Sequence, residues 1–180
     1  MVAIVALSQL PTGDELGEVK PLGLISLAEG IRPDAASTLS YLKKQGVEIK
    51  IISGDSAQTV ATIARRVGLS PRSYDARDLP DYDETPTKFL ETVRKHNIFG
   101  RVQPQQKRRI VAALQQAGRV VAMTGDGVND ALALKKADLG IAMNSGSPAT
   151  RAVAEVVLMD NKFSHLPSVL AEGRRVVANI

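Results

Sequence analysis

Three short stretches of this 180-residue chain carry more polar chemistry than solubility requires. The densest is Thr124-Gly125-Asp126-Gly127-Val128-Asn129-Asp130, in which two carboxylates stand four residues apart and two glycines flank the first. Oxygen ligands from one or two aspartates, completed by water and phosphate, are what Mg²⁺ prefers, because this small cation gives up its water reluctantly. Asp130 also falls where a following helix would begin, and its first turn favours a carboxylate, so capping is an alternative for that residue alone. The second stretch is Ser53-Gly54-Asp55. A hydroxyl, a glycine that lets backbone approach closely and a helix start make a phosphate seat; the same tripeptide is also an ordinary turn and cap. The third is Lys107, within Arg101-Val102-Gln103-Pro104-Gln105-Gln106-Lys107 and one turn into a predicted helix. An ammonium there could offset the charge of a transferred phosphoryl group; taken alone, it reads as a surface lysine. The three stretches together point to phosphoryl transfer.

Each stretch follows an apolar run, and the pattern around them predicts the elements that must hold them. Leu22–Leu27 and Val47–Ser53 read as strands, with a helix between them that opens at Arg32-Pro33 and stops at Gly46. Asp55 is expected to cap the next helix, with Gln58 completing a capping box. Val60, Ile63, Ala64 and Val67 form its apolar stripe, and Gly68 ends it. Residues 70–87 are polar and read as a loop, followed by a short helix near Lys88–His96. Strands are then expected at Ile98–Val102, Arg119–Met123, Leu139–Met143 and Val156–Met159. They alternate with helices at Gln105–Ala117, Val128–Lys136, Ser147–Val153 and His165–Asn179. Strands separated by helices imply right-handed crossovers and a mostly parallel sheet. The expected fold is α/β, a three-layer Rossmann-like domain. Ligands gather in such a sheet where strands end and helices begin, which is where all three stretches fall.

Composition narrows the field. With no cysteine, the chain has no disulfide, thiolate metal site or cysteine nucleophile, and two histidines are too few for a histidine-rich site. Aromatics are 3% of residues, which removes the stacking platform of a nucleic-acid surface. The net charge of +4 includes basic pairs at Arg65-Arg66, Arg108-Arg109, Lys135-Lys136 and Arg174-Arg175. Solvated helix faces account for such pairs, and neighbouring anionic lipid or phosphate accounts for the excess. No apolar run approaches the roughly 20 residues that span a bilayer. Residues 1–21 fit the alternating pattern poorly: Met1–Leu7 reads as a strand and Pro11–Lys20 as a turn-rich linker.

Met123–Met143, MTGDGVNDALALKKADLGIAM, closely resembles the hinge motif of P-type cation-transporting ATPases, within the haloacid dehalogenase superfamily. The resemblance covers about residues 22–180. IISGDSAQTVATIARRVGL resembles the family's Thr-Gly-Asp segment with Ser53 for threonine, and RVQPQQKRRIVAALQ its lysine segment. AEGIRPDA resembles a segment usually written Asp-Pro-Pro-Arg, with Glu29 replacing the aspartate and Arg32 retained. The resemblance implies that Ser53, Gly54 and Asp55 border the phosphoryl group and that Lys107 contacts it. It also implies that Asp126 ligates Mg²⁺ and that Asn129 and Asp130 shape the site. ATP is the implied substrate of the parent protein, which would be a membrane pump with this domain on the cytoplasmic side.

The family's phosphate acceptor lies in an Asp-Lys-Thr-Gly-Thr motif on the first strand of the domain, and no Asp-Lys pair occurs in this chain. By the resemblance, residues 1–21 are the remnant of a nucleotide-binding domain with its linker. Residues 22–180 are then a phosphorylation domain lacking its first strand and ending at a stalk helix. The implied partners are the missing nucleotide-binding, actuator and membrane domains, and the chain alone is expected to be soluble and inactive as an ATPase. Two other readings stand beside this one. A stand-alone phosphatase of the same superfamily would need its own Asp-x-Asp strand, and the only candidate, Asp81-Tyr82-Asp83, follows Leu79-Pro80 in a polar stretch. A catalytically silent binding or regulatory domain would need no acceptor.

Overall fold

The computed structural model describes residues 2–7, 19–25 and 30–179, which fall into two compact units divided between Ile31 and Arg32. The first unit is a two-stranded antiparallel ribbon. β1 (Val2–Leu7) pairs with β2 (Val19–Ile25), with a register irregularity between Ile4 and Val5. The boundary expected between residues 21 and 22 therefore falls inside a strand. Pro21 lies opposite Val5 at the irregularity, a place where a missing N–H is tolerated and the strand can continue through a proline. Residues 26–29, with Glu29 among them, and most of the expected linker lie outside the described residues.

The second unit alternates helix and strand. α1 (Ala35–Lys44), β3 (Ile51–Ile52), α2 (Ala57–Arg66), β4 (Ser73–Asp75), α3 (Pro86–Lys95) and β5 (Ile98–Gly100) form its first half. α4 (Pro104–Gln116), β6 (Ala122–Gly125), α5 (Ala131–Lys136), β7 (Leu139–Met143), α6 (Pro148–Val153), β8 (Val156–Leu158) and α7 (Leu166–Ala178) form the second. Every strand pair in this unit is parallel, in two sheets of order β3-β5-β4 and β6-β7-β8. The α/β fold with a parallel sheet, expected from the alternation, is what the chain adopts.

Two-residue side-chain alternation sorts the layers. Ile51 and Ile98 pack against Val60, Ala61 and Ala64 of α2. Their neighbours Ile52 and Phe99 point the other way, onto Phe89 and Val93 of α3 and Ile110 of α4. On the second sheet, Met123 packs with Val111 of α4 and Leu134 of α5, whereas Ile141 and Met143 pack with Leu42 of α1 and Leu166 of α7. Helices thus cover both faces, and α4 serves both sheets, with Ile110 on one and Val111 on the other.

Some elements differ from expectation. The strand expected at Val47–Ser53 is bridged only at Ile51–Ile52, because its partner β5 begins at Ile98, opposite Ile51. The region expected to be loop, residues 70–87, contains β4, which pairs with β5 as an edge strand. α2 is capped by Ser56, whose hydroxyl accepts from the Thr59 N–H at 3.2 Å, and not by Asp55 with Gln58. The start of α1 is tied to the segment before α7. Arg32 donates to the Asn161 carbonyl, and the Asp34 carboxylate accepts the Ser164 N–H at 2.9 Å, which lowers the Asp34 pKa.

Candidate functional site

The three sequence stretches emerge at C-terminal strand ends, as the crossover rule requires. Ser53-Gly54-Asp55 follows β3, Lys107 lies one turn into α4 after β5, and Thr124–Asp130 ends β6 and forms a 3-10 turn into α5. The backbone stitches the first two together. The Val102 N–H donates to the Ser53 carbonyl at 2.9 Å and the Arg101 N–H to the Asp55 carbonyl at 2.7 Å. This approach leaves no room for a side chain at Gly100: a Cβ there would sit 2.2 Å from the Ala57 nitrogen and 2.7 Å from the Asp55 carbonyl oxygen. The Ser53 hydroxyl accepts the Asp55 N–H at 3.1 Å, so it fixes its own turn. Gly54 is exposed, with open space around its Cα.

α4 then carries Lys107 inward. Gln106 accepts the Gln103 N–H at 2.9 Å, closing the helix start, and Pro104 sits where no N–H partner is needed. Lys107 is 8% exposed and donates to Asp130 Oδ1 at 2.6 Å. The other Asp130 oxygen accepts the Gly127 N–H at 3.2 Å, and a Cβ on Gly125 would lie 2.6 Å from Asp130 Cβ. Asp130, 9% exposed, therefore folds under the Gly125–Gly127 loop as a buried counter-ion. Spacing could not reveal this pair, because its members are 23 residues apart.

Asp126 behaves differently. Its backbone carbonyl accepts the Ser147 N–H at 2.8 Å and faces the Thr150 hydroxyl at 3.3 Å, so α6 fixes the loop from behind. Thr150 is fully buried, and sequence reasoning passed over it. The Asp126 carboxylate is exposed and has no hydrogen-bond or ion-pair partner among the described residues. Asn129 is exposed as well. The structure thus brings Lys107 and Asp130 into contact, holds Ser53 and Asp55 in one turn, and leaves Asp126 free at the loop tip. No cluster of three or more His, Asp or Glu side chains occurs among the described residues. One free carboxylate does suit a cation that keeps most of its water and shares a phosphate.

The strand ends of the two parallel sheets thus carry a hydroxyl turn, a buried lysine and an exposed aspartate. The chain belongs to the haloacid dehalogenase-like hydrolases, whose family model matches residues 4–138. More particular relatives are transport ATPases. The chain is 54% identical over 167 residues to the calcium-transporting ATPase CtpE of Mycolicibacterium smegmatis, an alignment covering 93% of this chain and 21% of that protein. It is 38% identical over 173 residues to the human calcium-transporting ATPase type 2C member 1, covering 95% of this chain and 19% of that one. The chain therefore spans about a fifth of the length of these relatives. Among solved structures, a zinc-transporting PIB-type ATPase in its E2.Pi state aligns with a TM-score of 0.67 at 28% identity, over 93% of this chain and 22% of that one. The resemblance to P-type ATPases drawn from Met123–Met143 holds across the chain. No helix among the described residues is long and apolar enough to cross a membrane.

Proposed function

We propose that this chain is the phosphorylation-domain portion of an ATP-driven cation pump, with the β1–β2 ribbon belonging to the end of its nucleotide-binding domain. The observation that carries this reading is the pair of open edges. Among the described residues β3 pairs only with β5, and β6 only with β7, yet these two edge strands bear the Ser53-Gly54-Asp55 and Thr124–Asp130 loops. α4 spans them, packing Ile110 in the cluster that includes Ile52 and Val111 on Met123. A strand carrying the acceptor aspartate, supplied by the rest of a longer polypeptide, would complete the sheet between them.

In that assembly the acceptor carboxylate attacks the γ-phosphorus of ATP and ADP leaves. Water then attacks the same phosphorus, releasing phosphate and regenerating the carboxylate. Ser53 and the Gly54 amide would hold phosphoryl oxygens, with Asp55 closing the turn behind them. Lys107, oriented by its 2.6 Å contact with Asp130, would offset developing charge. Asp126 would hold Mg²⁺, which supplies further charge neutralisation in both transfers. Calcium is the cation we assign, after the transport named for the relatives, and this domain would lie on the cytoplasmic side. Within this reading the chain alone forms no acyl phosphate.

The phosphatase alternative is disfavoured by the geometry at its only candidate nucleophile. Asp81 accepts the Asp83 and Glu84 N–H groups at 2.7 and 3.0 Å, and Asp83 pairs with Arg109, so both carboxylates belong to a surface turn. Two measurements test the proposal. Mg²⁺ titration by calorimetry is expected to show weak binding that Asp126→Asn abolishes; equal binding by both proteins counts against the assigned ligand. Incubation with radiolabelled ATP is expected to leave no hydroxylamine-sensitive label on this chain, and such a label would sink the claim of a missing acceptor.

A further inference from the structure

The opposite pole of the second unit gathers basic side chains. Parallel crossovers send the helices back so that their C-termini collect where the strands begin. A cleft of about 720 Å³ opens there, lined by Lys43 at the end of α1, Arg65 at the end of α2, and Arg72 just before β4. A second cavity of about 350 Å³ adjoins it, sharing Lys43 and adding Arg66. None of these four cations makes an ion pair among the described residues. The single carboxylate in the lining, Glu48, is neutralised within the fold by Lys50 at 2.8 Å. Its pKa is lowered by Lys50 first, with Arg119 and Arg72 close enough to add to the effect.

Helix ends account for only part of this. Basic residues in a last turn complement the helix dipole, which explains Lys43, Arg65 and Arg66 one by one. Arg72 is on no helix. It is presented by a loop that Asn97 grips twice, accepting the Arg72 N–H at 2.7 Å and donating to the Ser70 carbonyl at 3.0 Å. Two features decide what meets these cations. Lys43, Arg65, Arg66 and Arg72 are all exposed, so their charges face outward to solvent. Leu69 and Pro71 add partly exposed apolar surface to the same lining. Several exposed cations with apolar surface beside them match a plane of negative headgroups better than a point charge.

We propose that this pole is a docking surface for an anionic phospholipid membrane, held by Lys43, Arg65, Arg66 and Arg72. The proposal goes beyond the phosphorylation-domain reading and does not depend on it, since these residues lie at the other end of the strands.

Flotation of the whole chain with phosphatidylcholine vesicles, with and without phosphatidylglycerol, tests it at low ionic strength. Binding is expected only with phosphatidylglycerol and is expected to fade as salt shortens the Debye length. At about 1 kcal/mol per basic residue, Arg65→Gln with Arg72→Gln should weaken partitioning about thirtyfold. The matched pair Lys88→Gln and Arg108→Gln, exposed positions outside the cleft lining, should leave it unchanged. Circular dichroism confirms folding of each variant, and Lys43→Gln with Arg66→Gln provides a second cleft pair. Free glycerol phosphate at equal charge concentration should not compete. Equal binding to neutral vesicles, equal loss in cleft and control pairs, or tighter binding of a poly-glutamate peptide than of the vesicles would each overturn the proposal. The Asp126 magnesium titration is indifferent to all of these outcomes.

Discussion

The buried Lys107–Asp130 pair makes a sharp quantitative prediction. Both side chains are nearly enclosed, 11% and 12% exposed, and meet at 2.6 Å. Removing one partner of such a pair strands the other charge, typically at about 3–5 kcal/mol. The remaining exposure admits some water, so the lower end applies: about 3 kcal/mol for Asp130→Asn, which leaves an ammonium facing a neutral amide. Lys107→Met should cost slightly less, about 2–3 kcal/mol, because the Gly127 N–H still serves the stranded carboxylate. The double variant removes both charges and should cost less than the sum of the singles, with a coupling energy of about 2–3 kcal/mol. Urea unfolding followed by far-ultraviolet circular dichroism reads all four proteins, since a 3 kcal/mol loss moves the midpoint by about 1–3 M. Additive single effects, with coupling below about 0.5 kcal/mol, would refute the claim that these charges are desolvated together.

Other consequences can be checked on the same protein. Gly100→Ala forces a Cβ into the α2 backbone and should cost about 3 kcal/mol or more, a melting-temperature drop of about 6–12 °C, whereas Gly54→Ala, with open space around it, should cost well under half as much. Thr150→Val removes the hydroxyl that donates at 2.8 Å to Ser147 and faces the Asp126 carbonyl, and should cost about 1–2 kcal/mol in thermal unfolding, with Thr150→Ser largely restoring it. Asp75 is held below the ordinary 3.8 by its bonds to Arg77 and then Arg101. Its folded pKa is depressed, so the stabilisation is complete above that ordinary value and is lost as the pH falls below it. Asp75→Asn should therefore flatten the decline of the urea midpoint below about pH 4; an unchanged slope would mean that the ion pairs do not persist in solution.

How much of this was legible before the fold was known depends on how local the cause was. The β7 strand appears at its expected residues, because five apolar or small residues in a row pair on both sides. The helix ends at Gly46 and Gly68 were readable because both glycines have positive φ, +81° and +80°. β4 was not readable. Ser73-Tyr74-Asp75 is a polar edge strand whose pairing with Phe99 and Gly100 exists only after the crossover is made. The cap of α2 falls to Ser56 because the Ser53 hydroxyl holds Asp55 in the preceding turn, accepting its N–H and facing its carboxylate at 3.4 Å. At the site, residue types gave the loop chemistry. They could not say that Asp130 would be buried beneath Gly125 while Asp126 stayed free, a distinction made by packing distances alone.

The clasp between the start of α1 and the segment before α7 sets an order of events. Arg32 and Asp34 find their partners Asn161 and Ser164 across separations of 129 and 130 residues. A growing chain emerges from the ribosome N-terminus first, so α1 is made early, but Leu42 has no Leu166 to pack against until almost the whole second unit has been synthesised. Closing so long a loop costs entropy that only the finished contacts return. The half containing β3, β4 and β5 can assemble around Phe99 without waiting, because its partners all lie within residues 52–114. Docking of α1 should then be a late event of folding, and a ribosome stalled before residue 161 should hold a nascent chain in which that helix is still open to protease.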